Sequence, residues 1–224
     1  MYEDAVILLV MSAAAALAPA ASLARTLRLR KEFDRLTPVW QAWARGHGYT
    51  FVHGNRSLLS PQSPQVRGLI SPQSQALWTL DTMDLDPAAM PIPAAEPVFQ
   101  RQAYTVIAGR ALTHIPATVV VRNRQLHGHL APPQGYRAMD LSDSLFDELC
   151  QVLTDDERVA RTLLDPRTRK ALVVLAQRAF VFTCVEGAVW IRWPRRETDP
   201  ALLDAGVEAL VGACVPRGGA LPWR

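Results

Sequence analysis

Residues 5–24 carry no charged side chain and are bracketed by acid on one side and base on the other, and no other stretch constrains this chain as strongly. Twenty residues in a helix rise about 30 Å, the depth of a bilayer's hydrocarbon core. Val6, Ile7, Leu8, Leu9 and Val10 supply most of the apolarity, while alanines, Ser12, Ser22 and Pro19 dilute it. The drive to insert is therefore modest. Glu3 and Asp4 precede the stretch, and Arg25, Arg28, Arg30, Lys31 and Arg35 follow it. A secretory signal needs positive charge ahead of its apolar core, and here the charge ahead is negative. The small residues of "APAASLA" do suit a cleavage site. Against that, positive flanks stay in the cytoplasm. The expectation is a single transmembrane helix in the inner (cytoplasmic) membrane, N-terminus out, with the main domain cytoplasmic. A cleaved signal and a buried helix of a water-soluble fold are the alternatives.

Ser12, Ala16 and Ala20 recur every four residues and share one helix face. Small side chains let a neighbouring helix approach closely, so these three are the expected helix-packing positions. Residues 5–24 contain no His, Asp or Glu, and so offer neither a metal ligand nor a proton relay. Arg25, Arg28, Arg30 and Lys31 are expected at the membrane surface, against anionic lipid headgroups. Leu36, Val39, Trp40 and Trp43 recur at helical spacing. They read either as core contacts or, for Trp40 and Trp43, as a membrane-proximal interface. Pro38 is expected to kink or restart the helix, and Gly46 and Gly48 to end it.

Of 24 basic residues, 22 are arginine, yet residues 36–224 carry a net charge of only +2. No basic stripe interleaved with aromatics is present, so nucleic acid is not an expected partner. Cys150, Cys184 and Cys214 are odd in number, far apart and outside any Cys-x-x-Cys. That pattern suits buried thiols in a reducing compartment.

Further along, 49–54 and 75–83 read as strands, separated by a Ser-Pro-Gln-rich loop near 55–75. Residues 84–97 hold four prolines and read as an extended connection. Residues 103–112 and 117–126 are β-rich and close in sequence, which suggests a hairpin or meander. Thr154-x-x-Glu157 has the form of a capping box. Asp165-Pro166 and Asp199-Pro200 each place an N-cap before a first-turn proline. Glu186-Gly187 reads as a hairpin turn. The fold class expected is α+β: an N-terminal transmembrane helix, then a cytosolic antiparallel-sheet domain with several helices. The divisions are 1–35 (anchor and basic flank), 36–48 (membrane-proximal helix) and 49–224 (α+β domain).

Trp40-x-x-x-Ala44-x-x-x-Gly48 is followed by an aromatic strand. Later come Phe146, Val152, Asp156, Ala160, Leu163, Leu164, Pro166 and Arg167 ahead of the hairpin and the closing helix. With these residues the chain resembles a group of uncharacterised bacterial proteins that have one N-terminal span and a cytosolic α+β domain. The resemblance covers residues 1–55 loosely and 100–215 better. It implies architecture, and no activity.

Chemistry is sparse. His127-x-His129 lacks a third ligand at supporting spacing, so no metal is expected. Asp140, Asp143, Asp147 and Glu148 lack the glycine turn of a calcium loop. Asp155, Asp156 and Glu157 suit the start of a helix. No phosphate loop, dinucleotide fingerprint, nucleophile elbow or zincin motif is present. No catalytic residue and no cofactor is assigned. The function expected is a non-catalytic accessory or scaffold subunit of a larger membrane protein complex, with other integral membrane proteins as partners. A tethered ligand- or peptide-binding module, and an enzyme of unrecognised type, are the alternatives.

Overall fold

The structure, a computed structural model, describes residues 2–54, 62–85, 102–128 and 131–215, with the backbone alone for 2–22, 83–85 and 102. Among the described residues nine strands form one sheet: β1 (Thr50–Val52), β2 (Gln65–Leu69), β3 (Leu77–Leu85), β4 (Gln102–Arg110), β5 (Thr118–Asn123), β6 (Arg137–Met139), β7 (Cys150–Thr154), β8 (Val181–Val185) and β9 (Ala188–Pro194). Their order is β1-β2-β3-β4-β9-β8-β5-β7-β6, and every pairing is antiparallel. The helices are α1 (Tyr2–Gly46), α2 (Arg124–His127), α3 (Ser144–Leu149), α4 (Glu157–Leu163), α5 (Pro166–Leu175) and α6 (Pro200–Cys214).

Register makes one face of this sheet the core. Side chains alternate faces along a strand, so directly paired residues share a face. A single row runs Phe51, Val66, Leu80, Ile107, Ile191, Phe182, Val121, Val152, Met139 across all nine strands. All but half-buried Phe51 are buried. The helices cover this face. The end of α1 brings Leu36, Trp40, Trp43 and Ala44 to the core, and α6 brings Leu202, Leu203 and Leu210. Two glycines set how closely elements approach. A Cβ at Gly206 would lie 2.6 Å from Ile107 Cδ1, and one at Gly68 would lie 2.6 Å from two atoms of the Trp78 ring.

The local punctuation behaves as its chemistry requires. Asp165 caps Thr168 N, and Asp199 caps Ala201 N, each followed by proline in the first turn. Glu186 and Gly187 turn the β8–β9 hairpin with φ of 48° and 78°, the left-handed pair that such a tight turn needs.

Several expectations are corrected. Among the described residues, no helix is long and apolar enough to cross a membrane. The transmembrane helix, the single-pass membrane class and the N-out inner-membrane placement are therefore not supported. From Leu23 onward α1 alternates leucines with Arg25, Arg28, Arg30, Lys31, Glu32, Asp34 and Arg35, and then buries an aromatic face on the sheet. Such a helix packs on protein. It runs through Pro38 as one helix and stops at Gly46, with Gly48 left-handed at φ 68°. β4 and β5 do not pair: β4 lies between β3 and β9, and β5 between β8 and β7. The Ser-Pro-Gln region contributes a core strand, β2. The capping box is absent, because Thr154 ends β7 and Asp156 caps α4 instead. The proline-rich expectation at 86–97 lies outside the described residues.

Candidate functional site

The site begins where β9 ends. After Pro194 the chain turns through residues 195–199 before entering α6. This turn is clamped from several sides. Arg195 N donates to Ala103 O at 2.8 Å, and Thr105 Oγ1 donates to Arg195 O at 2.7 Å. Glu197 N donates to the same Thr105 hydroxyl at 2.8 Å, and Trp40 Nε1 donates to Glu197 O at 2.8 Å. The Glu197 side chain is buried, and its carboxylate accepts from Thr198 N and Asp199 N at 3.0 Å and from Trp193 Nε1 at 3.2 Å. Arg178 Nε lies 3.4 Å from it. Held this way, Arg195 keeps a φ of 84°, a conformation that a non-glycine residue adopts only when its surroundings impose it.

This turn faces α1 across a cleft of about 390 Å³ lined by Arg28, Glu32, Arg35, Leu36, Ala103, Arg195, Arg196 and Thr198. Four guanidiniums thus face one carboxylate. Glu32 accepts from Arg28 Nε at 3.0 Å and pairs with Arg196, whose guanidinium lies 5.4 Å from the Phe33 ring centroid. The guanidiniums of Arg35 and Arg195 have no hydrogen bond or ion pair among the described residues. On its other side Arg196 borders a second groove of about 600 Å³, which includes Phe33, His53, Arg67 and Asp81. There Asp81 is held by Ser63 and by Gln65 Nε2 at 2.6 Å.

The sequence-assigned positions are distributed as follows. Ser12, Ala16 and Ala20 lie in the helical backbone of α1, with side chains outside the described residues. Arg25, Arg28, Arg30 and Lys31 do not form one patch. Arg28 lines the cleft, whereas Arg30 lies about 200° further round the helix. Trp40 and Trp43 are buried against the domain, Trp40 beneath the 195–199 turn. Trp43 donates to Asp204 Oδ1 at 2.7 Å and packs with His47, Tyr49 and Trp78 at centroid distances of 5.4, 5.4 and 6.3 Å. Burial, and then the Asp204 charge, push the Tyr49 phenol up from its ordinary value. Arg195 and Arg196 were not singled out from sequence, and Arg35 only as the end of the basic flank. The available signal was "PRRETDP", a charged pair between a strand-ending proline and a capped helix start.

The remaining polar candidates are structural. Cys150, Cys184 and Cys214 are buried free thiols pushed up by burial to about 12, 11 and 12. Asp143 caps α3, and Asp147 accepts from Leu141 N and Asp143 N at 2.9 Å. Asp140 pairs with Arg124 at 2.8 Å, and Asp155 accepts from Thr118 N. His127 lies in α2, and His129 is outside the described residues. Among the described residues no group of three His, Cys, Asp or Glu side chains is placed to hold a metal.

No family model matches the chain, and no curated protein matches it in sequence. Among solved structures the chain is similar to the crystal structure of the mycobacterial trehalose monomycolate transport factor A, TtfA. That similarity has 14% identity and a TM-score of 0.49, and covers 83% of this chain and 98% of that one.

Proposed function

We propose that this chain is a non-catalytic accessory subunit, a scaffold domain attached to a larger protein assembly through the exposed flank of α1. The observation that carries this reading is the division of labour along that helix. Its 45 residues amount to about 68 Å, whereas nine strands span about 40 Å. Leu36, Trp40, Trp43 and Ala44 anchor the end of α1 in the core. Ahead of them Leu23 and Leu27 stand 53% and 51% exposed, one turn apart, beside the exposed Arg28 and Lys31. A leucine pair at i, i+4 within a basic surround suits an apolar contact rimmed by acidic groups of a partner protein.

The test is isolation of the tagged full chain with quantitative mass spectrometry and light scattering. A partner in fixed ratio, lost on the joint change Leu23→Asp and Leu27→Asp, supports the reading. A monodisperse lone chain, or a partner indifferent to those changes, refutes it.

A further inference from the structure

Extending that reading but carried by different side chains, we propose that the cleft between α1 and residues 195–198 receives two carboxylates of an acidic segment on the partner protein. The cleft holds four arginines against Glu32, which is already engaged by Arg28 and Arg196. Arg35 and Arg195 line the cleft with neither a hydrogen bond nor an ion pair for their guanidiniums among the described residues. Like charges held together on rigid elements repel one another and hold an anion well. Rigidity is supplied by α1 on one wall. On the other, backbone and side-chain bonds fix residues 195–199 in a left-handed conformation at Arg195. Guanidinium forks match carboxylates in a two-point geometry, which favours arginine over lysine here.

Spacing selects the anion. Arg28 and Arg35 stand two turns apart, about 10.5 Å along the axis. Two carboxylates engage both with the side chains apart, whereas a single phosphate requires the two like-charged arms to converge. Carboxylates three residues apart on a polyproline II segment share one face and span about 9 Å, and carboxylates seven residues apart on a helix span about 10.5 Å. Leu36 and Ala103 line the cleft between the charges, apolar surface for the methylenes of a glutamate.

The experiment uses the full chain and a fluorescein-labelled peptide with glutamate at every third position in an alanine background, read by anisotropy. Arg35→Ala and Arg195→Gly each weaken binding about tenfold, while Arg110→Ala, at the far end of β4, leaves it unchanged. Glycine suits the positive φ at 195, so that variant loses the charge without losing thermal stability. Equal binding by all variants overturns the proposal. Displacement of the peptide by equimolar inorganic phosphate overturns it in favour of a single-anion site. Arginine-dependent binding to phosphatidylglycerol vesicles without peptide binding overturns it in favour of a lipid surface. Peptide binding without any isolated partner removes the scaffold reading and keeps the cleft. A partner lost with Leu23 and Leu27 but indifferent to Arg35 and Arg195 does the reverse.

Discussion

Replacing Glu197 by alanine removes the acceptor around which the 195–199 turn is built. The loss divides unequally among its four donors. Trp193 is fully buried, so its indole N–H is left without a partner, at a cost of about 1–3 kcal/mol. Thr198 and Asp199 are exposed residues whose amides can turn to water, and their loss is about 0.5 kcal/mol each. The Arg178 side chain is one-third exposed, 3.4 Å away and screened by solvent, and adds no more than about 0.5 kcal/mol. Together Glu197→Ala is expected to destabilise the domain by about 3 kcal/mol, a large share of the roughly 5–15 kcal/mol of a typical domain. For a domain of this size that lowers Tm by about 6–12 °C. Glu197→Gln keeps a carbonyl acceptor and loses about half as much. Urea unfolding followed by tryptophan fluorescence measures both, with m unchanged if only stability moves. A loss under 1 kcal/mol for the alanine variant, or a glutamine variant as damaged as alanine, would refute this account of the turn.

Four further outcomes follow from three observations. Burial raises the folded pKa of Cys150, Cys184 and Cys214 above the ordinary 9.0, so their contribution is complete below pH 9 and is lost as pH rises toward 11–12. Between pH 8 and 10 each thiol costs about 1 kcal/mol and the three together several, a decline that a triple Cys→Ala variant should lack. At pH 8 a thiol reagent should find no reactive cysteine in the native chain and three in urea. Gly68→Ala places a methyl 2.6 Å from the ring of fully buried Trp78 and should cost about 2 kcal/mol in urea unfolding. Arg195→Gly relieves a φ of 84° and should raise stability by about 0.5–1 kcal/mol, measured the same way.

What the sequence made legible was local. Asp-Pro pairs at 165 and 199, the Glu186-Gly187 turn and the glycine stop after α1 act within four residues, and each stands where its chemistry placed it. Long-range choices were not legible. β4 and β5 follow one another and are both β-rich, yet β9 inserts beside β4 because its Ile191 completes the apolar row through Ile107. β2 hid among serines and prolines because its inward positions include Gly68, which carries no side chain to register as apolar. Thr154 had the right residue three positions on, but its hydroxyl donates to Thr118 O, which ties it to the sheet and leaves capping to Asp156. Acid before and base after residues 5–24 is the charge order of a membrane span, whereas α1 ends in an aromatic face, Leu36 to Ala44, that packs on the sheet.

The cleft explains why the basic flank could be seen and its use could not. Arg28, Glu32 and Arg35 sit at i, i+4 and i+7, a helical stripe that any reading of periodicity contains. Arg195 and Arg196 lie some 160 positions later and reach that stripe only through the fold. Trp40 joins the two. It lies on the same helix as the stripe, is fully buried, and donates its indole N–H to the carbonyl of the residue that anchors the opposing turn. The residue that fastens α1 to the domain therefore also sets the distance between the walls of the cleft. Charge alone would leave four arginines repelling one another on mobile arms. Trp40 on one side and Glu197 on the other fix the backbone that carries them, and so set a spacing to which an anion of the right span can be complementary.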